Sequence, residues 1–228
     1  MNKKTVLQKF IADSGLCSRR KAEELIRVKK VKINGKIAEL GMKAGLEDKV
    51  EVDGRPIKIN NKKIYILLNK PAGYTCTNRK FKGEKNIFEL VDIKERLFVV
   101  GRLDKNSRGL VLLTNDGELT QELTHPKNRH EKEYITQVTS NKLQITKLLD
   151  LFKEGVDIGG EDGIVKVKNI EYLGNNKFKI ILTQGKKRQI RRMFKTLDCE
   201  VLNLLRVRIG KFKLEELEEG EYLITHNT

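Results

Sequence analysis

The stretch GRLDKNSRGLVLLTNDGEL places Arg102 and Asp104 where one apolar run, LFVV, ends and another, LVLLT, is about to begin. A carboxylate held there could act as a nucleophile or stabilise positive charge that develops beside it. Taken alone, an aspartate in such a connection is more often a turn former or a helix cap. Tyr134, in KEYITQV, is an aromatic residue on an alternating strand, suited either to filling a core or to stacking against a flat base. In RQIRRMFKTL, Ile190, Met193, Phe194 and Leu197 recur at helical spacing and form an inward stripe. Arg188, Arg191, Arg192 and Lys195 then occupy the rest of that helix. A guanidinium from this group could hold a carboxylate in a dry pocket, where an unpaired charge would be costly. Leu204, in VLNLLRVRIG, reads equally well as plain core or as an apolar contact for a ligand.

Positioning these groups requires a mixed fold. IYILLNKP reads as a buried strand stopped by Pro71, LFVVGRLD as a strand entering a loop, and EYITQV and NKFKIILTQ as further strands. ITKLLDLFKEG and RQIRRMFKTL read as amphipathic helices. The expectation is an α+β domain over residues 63–228, built on a mainly antiparallel mixed sheet. A polar, basic linker is expected at residues 57–62, preceded by a separate module at residues 1–56. That module begins with two short helices. Leu7, Phe10 and Ile11 face inward on the first, which Gly15 ends; Ser18 caps the second, with Ala22, Leu25 and Ile26 inward. A small sheet follows, with a tight hairpin at Asn34-Gly35.

The net charge is +16 over 228 residues, which points to a polyanionic partner. Residues 1–60 carry fifteen lysines and arginines against eight acids. Seven of the fifteen, Arg19, Arg20, Lys21, Arg27, Lys29, Lys30 and Lys32, fall within fourteen residues, a density better explained by phosphate binding than by a solvated face. The apolar runs are too short to span a bilayer, and the N-terminal lysines have no apolar core behind them, so a signal peptide is not expected. Cys17, Cys76 and Cys199 are sparse and odd in number, as in a reducing, cytoplasmic compartment, and read as small buried hydrophobes. They form no metal-binding spacing with His125, His130 or His226.

From Leu7 to Asp53, with SGLCSRRKAEELIRVKKVKING at its heart, the chain resembles the RNA-binding module named after ribosomal protein S-four. The resemblance implies docking of the helix pair on structured RNA. The rest resembles pseudouridine synthases of the RsuA, RluB and RluF branch, through LNKPAG, GRLDKNSRGLVLLTNDGEL, HEKEYITQV, QGKKRQIRRMF and VLNLLRVRIGKFKLEEL in that order. The resemblance implies that Asp104 is the catalytic carboxylate, Tyr134 the active-site tyrosine, and Arg191 the ion-pair partner of Asp104. It implies that Leu204 packs on the target base. Arg102 would fill the space left by a flipped uridine or bind its phosphate, and Arg188 and Arg192 would touch phosphate or solvent. The reaction conserves atoms, so no cofactor and no metal are expected. SGLCSRR, HEKEY and the QG…RQIRRM form are most similar to the RluF branch, which implies large-subunit (23S) ribosomal RNA, free or in a precursor particle, and a monomeric enzyme. Gln184 and Lys187 depart from the common pattern and bear on substrate subfamily rather than on reaction. A small-subunit (16S) RsuA-type synthase and a non-catalytic ribosome-assembly factor stay open at this point.

Overall fold

The computed structural model describes residues 4–59, 62–79, 81–139 and 145–225. The chain divides into two compact units, one of Met1–Ile64 with Ile93–Leu97 and Asn115–Gly117, the other of Tyr65–Asp92, Phe98–Thr114 and Glu118–Thr228.

In the first unit, helix α1 (Leu7–Asp13) buries Leu7, Phe10 and Ile11, and the chain leaves it through Gly15 at φ +84°, a left-handed conformation glycine adopts without a Cβ clash. Ser18 caps α2 (Arg19–Arg27) by accepting a hydrogen bond from the Lys21 N–H at 3.2 Å. Ala22 and Ile26 are buried against the first helix, with Leu25 packed on the same core. Strands β1 (Val31–Ile33), β2 (Lys36–Ile37), β3 (Val50–Val52) and β4 (Arg55–Ile57) form an antiparallel sheet in the order β2-β1-β3-β4. Asn34 and Gly35, at φ +50° and +81°, make the predicted primed turn, and Asp53-Gly54 repeats it between β3 and β4. Strand β4 corrects the expected boundary. Ile57 pairs with Val50, and Ile57 and Ile59 pack on this unit's core, so the expected linker begins inside folded structure. Its residues 60 and 61 lie outside the described ones.

In the second unit, β5 (Tyr65–Lys70) is buried at all six positions and stops at Pro71, as a central strand should. Then come β6 (Phe98–Val100), β7 (Arg108–Thr114), α3 (Gly117–Thr124), β8 (Lys132–Val138), α4 (Ile145–Glu154), β9 (Asn169–Gly174), β10 (Lys177–Leu182), α5 (Gln189–Lys195), β11 (Val201–Ile209), β12 (Phe212–Lys213) and β13 (Tyr222–Thr225). The sheet runs β9-β10-β8-β11-β7-β5-β13, with β12 beside β11 and β6 beside β7. Its strands pair antiparallel except β11 with β7, which are parallel through Leu205↔Arg108 and Arg206↔Gly109. One face buries Leu67, Leu110, Leu112 and Ile209 with Leu123 of α3. On the other, Phe178 of β10 meets Phe194 of α5 at a ring-centroid distance of 5.4 Å, and Phe194 meets Phe152 of α4 at 4.9 Å. Among the described residues no helix is long and apolar enough to cross a membrane.

Candidate active site

Asp104 lies in the loop that joins β6 to β7 and is partly exposed, while its neighbours Leu103 and Ser107 are buried. The loop backbone is held at intervals. Ser107 N–H closes a turn on the Asp104 carbonyl at 3.0 Å, and Gly73 N–H donates to the Lys105 carbonyl at 2.8 Å. The Lys70 ammonium donates to that same carbonyl at 3.1 Å and to Pro71 O at 2.7 Å. Burial raises the pKa of the Cys76 thiol, and the Leu103 backbone partly offsets this. A carboxylate on such a loop has its backbone fixed before any substrate arrives, which is how a site avoids losing rate to disorder.

Tyr134 is buried on β8, directly opposite Arg206 of β11. Leu204, two residues earlier on β11 and opposite Thr136, is also buried and shares the face of Tyr134 and Arg206. Arg206 is 1% exposed and donates to the carbonyls of Leu110, at 2.8 Å, and Gly101. Gly109 lets the backbones of β7 and β11 come together here: it sits at φ +101°, and a Cβ would fall 2.3 Å from the Arg206 backbone oxygen and 2.7 Å from its backbone nitrogen. Tyr134, Leu204, Arg206 and the Asp104 loop therefore belong to one side of the sheet.

Helix α5 and the residue that caps it supply three arginines with different surroundings. Arg191 points its guanidinium at the loop, donating to Asn106 O at 3.0 Å and to Val201 O at 2.8 Å. The expected direct ion pair with Asp104 is replaced by this arrangement. Arg191 holds the loop backbone two residues beyond the aspartate and feels the carboxylate through space. Burial, then the charge of Arg188, pull the Arg191 guanidinium below its ordinary pKa, and Asp104 opposes them. Among the described residues, Arg191 Nε and Ser107 Oγ are buried without a hydrogen-bond partner, orphan groups of the kind that gather at working sites. Arg188 is exposed at φ +53° just before α5, so its side chain is available to an anion.

Arg192 corrects another expectation. Its guanidinium is spent inside the protein, on Ile158 O at 2.7 and 3.1 Å, Gly159 O at 2.7 Å and Asp162 at 2.5 Å. It anchors the 158–162 turn and has no donor left for phosphate. Arg102 is exposed and, among the described residues, makes no hydrogen bond or ion pair within the protein.

Lys70 is a functional candidate that reading the sequence missed. It ends an apolar strand before Pro71 and is fully buried. Burial is the main cause that lowers its pKa from the ordinary 10.5 to about 8; Cys76, Glu219 and Asp104 partly offset this, and Arg206 adds to it. Below pH 8 both the folded and the unfolded chain carry the proton, so the full cost of the buried charge, on the order of 3 kcal/mol, is present. Between pH 8 and 10.5 the unfolded chain binds more protons than the folded one, and stability from this group rises with pH. Urea unfolding of the wild type and Lys70→Met across pH 7–10 is expected to show the wild type gaining up to about 3 kcal/mol relative to the variant. Parallel pH profiles would refute the assignment.

In the first unit, Arg19, Arg20, Lys21, Arg27, Lys29, Lys30 and Lys32 are all exposed on α2 and its exit. Lys21 pairs with Glu24 at 2.8 Å and Lys30 with Asp53 at 3.0 Å. The other five form no ion pair among the described residues.

Comparison with known proteins gives these two surfaces a common context. Residues 64–196 match the family described as RNA pseudouridylate synthase, and residues 7–50 match the S4 domain. Ribosomal large subunit pseudouridine synthase B of Bacillus subtilis is 37% identical, over 94% of this chain and 89% of its own length. The dual-specificity RNA pseudouridine synthase RluF of Salmonella typhi is 39% identical, over 96% of this chain and 74% of its own. A crystal structure of a pseudouridylate synthase aligns with a TM-score of 0.70 at 32% identity, covering 96% of this chain and 95% of the other.

Proposed function

This chain belongs to the RNA pseudouridylate synthase family, and from that premise we propose that it isomerises a uridine of large-subunit ribosomal RNA with Asp104 as the reacting carboxylate. The observation that carries the reading is the backbone-pinned loop that holds Asp104 on the same side of the sheet as Tyr134 and Leu204. The bond between the ribose C1′ and ring N1 breaks, the uracil turns, and C1′ rejoins at C5. The proton leaving C5 is balanced by the one gained at N1, so no oxidant or nucleotide is consumed. Asp104 either adds to the sugar or supports the charge that develops on it. Tyr134 stacks on the released base and keeps it from leaving as it turns. Leu204 offers the base an apolar floor, and Arg191 keeps the loop in register. Arg102, exposed beside the carboxylate, takes the flanking phosphate or the place of the flipped nucleotide, with Arg188 near the same strand. The charged helix pair of the first unit docks the RNA.

The large-subunit assignment rests on the relative from Bacillus subtilis and on the S4 domain. The test is to incubate the full-length protein with unmodified large- and small-subunit ribosomal RNA and map pseudouridine chemically. A new pseudouridine in the large-subunit RNA is expected. Modification of small-subunit RNA alone would move the substrate, and none on either RNA would leave only a binding protein.

A further inference from the structure

We propose that Arg206 is a positioning residue that closes the Asp104 loop at both ends and sets the aim of its carboxylate. The inference rests on the reading of Asp104 given above. Gly101 lies three residues before Asp104, where β6 ends; Leu110 lies on β7, past the loop. One planar guanidinium donates to both carbonyls, so it spans the two ends of the loop from inside the sheet. Its strand position opposite Tyr134 ties the loop to the strand that carries the tyrosine. A flexible ammonium could not bridge two fixed carbonyls with the same geometry.

A charged side chain is a poor choice for mere filling at this depth. Neighbouring Lys70 and Lys132 are both pushed toward the neutral form by burial, with Arg206 adding to it. An apolar residue of similar volume would avoid that repulsion, and buried ionic groups are often replaceable without loss of stability. Two glycines lie against Arg206. Gly109 leaves no side chain where the Arg206 backbone approaches, and Gly101, at φ +64°, would place a Cβ 3.5 Å from Arg206 Nη1. Arg191 on Asn106 and Lys70 on Lys105 hold the middle of the loop. Arg206 holds its ends, and the carboxylate points where these constraints leave it.

The test compares full-length wild type, Arg206→Met, Arg206→Lys and Asp104→Asn on an RNA that the wild type modifies, with enzyme in excess. Three quantities are read: rate of pseudouridine formation per folded molecule, RNA affinity and thermal midpoint. Arg206→Met is expected to slow the reaction on the order of 100-fold, with RNA affinity within about twofold of wild type. Arg206→Lys keeps the charge but reaches one carbonyl at a time, and its rate falls between the two. A wild-type rate in Arg206→Met, or a loss of RNA affinity that accounts for the loss of rate, would overturn the proposal. Should Arg206→Met fail to fold, Arg206→Lys decides, since a wild-type rate in that variant refutes the need for a spanning group. If the wild type is active, Asp104→Asn inactive and Arg206→Met fully active, this inference alone fails. An inactive wild type removes the functional reading and this inference together.

Discussion

Asp104→Asn is expected to lower the rate of pseudouridine formation by at least about 10⁴-fold, the scale on which enzymes lose a nucleophile or its partner. The substitution changes one oxygen to an amide nitrogen and leaves the shape of the side chain nearly intact. None of the contacts that hold the loop uses that side chain. They run from Arg206 to Gly101 O, from Lys70 to Lys105 O and from Arg191 to Asn106 O. The fold and the thermal midpoint should therefore stay close to wild type, and so should RNA affinity, which draws on surface cations elsewhere in the chain. Loss of rate without loss of affinity is the signature of an interaction made only as the bonds rearrange. The measurement is single-turnover conversion on a ribosomal RNA fragment, beside a binding titration with the same RNA. A variant that keeps a rate within about tenfold of wild type would place the reacting carboxylate elsewhere.

Much of this site could be read from local pattern, and the exceptions have a common physical cause. The hairpin at Asn34-Gly35 was legible because positive φ at two successive residues needs just those residue types. The strand at Tyr65–Lys70 was legible from an apolar run cut by proline, and the α5 stripe of Ile190, Met193 and Phe194 from its spacing. Helical spacing says which residues turn away from the core, but not what they meet. Arg192 was therefore expected at phosphate or in solvent, whereas its partners are carbonyls at 158 and 159 and the Asp162 carboxylate, in a glycine-rich turn that no periodicity marks. Arg191 was expected on the Asp104 carboxylate and lies instead on the backbone beyond it. Arg206 was not singled out in the sequence. It shares the parity of buried Leu204 on a strand, a sign that it faces inward, yet a charge in an apolar pattern is easily read as a surface residue. Its partners depend on the parallel pairing of β11 with β7, a contact nearly a hundred residues apart in sequence. β4 was missed because proline at position 56 suggests a linker, although a two-residue turn from β3 leads straight into it.

Replacing Arg19, Arg20, Arg27, Lys29 and Lys32 together by glutamine should weaken RNA binding and, more tellingly, flatten its dependence on salt. These five cations are exposed and form no ion pair among the described residues, whereas Lys21 and Lys30 already share their charge with Glu24 and Asp53. Each phosphate neutralised contributes roughly 0.7–0.9 to the slope of log affinity against log salt, so five contacts account for about 3.5–4.5. Between 50 and 200 mM salt the wild type should then lose roughly two hundredfold more affinity than the variant. The helix itself should survive, because its cap at Ser18 and its buried residues Ala22 and Ile26 are untouched. Catalysis separates docking from chemistry. At saturating RNA the variant should turn over at the wild-type rate, since the loop bearing Asp104 is built wholly within the other unit; at low RNA it should be slow in proportion to its lost affinity. An unchanged salt slope would show that these side chains face solvent even in the complex, and the docking role would pass to cations of the catalytic unit such as Arg102 and Arg188.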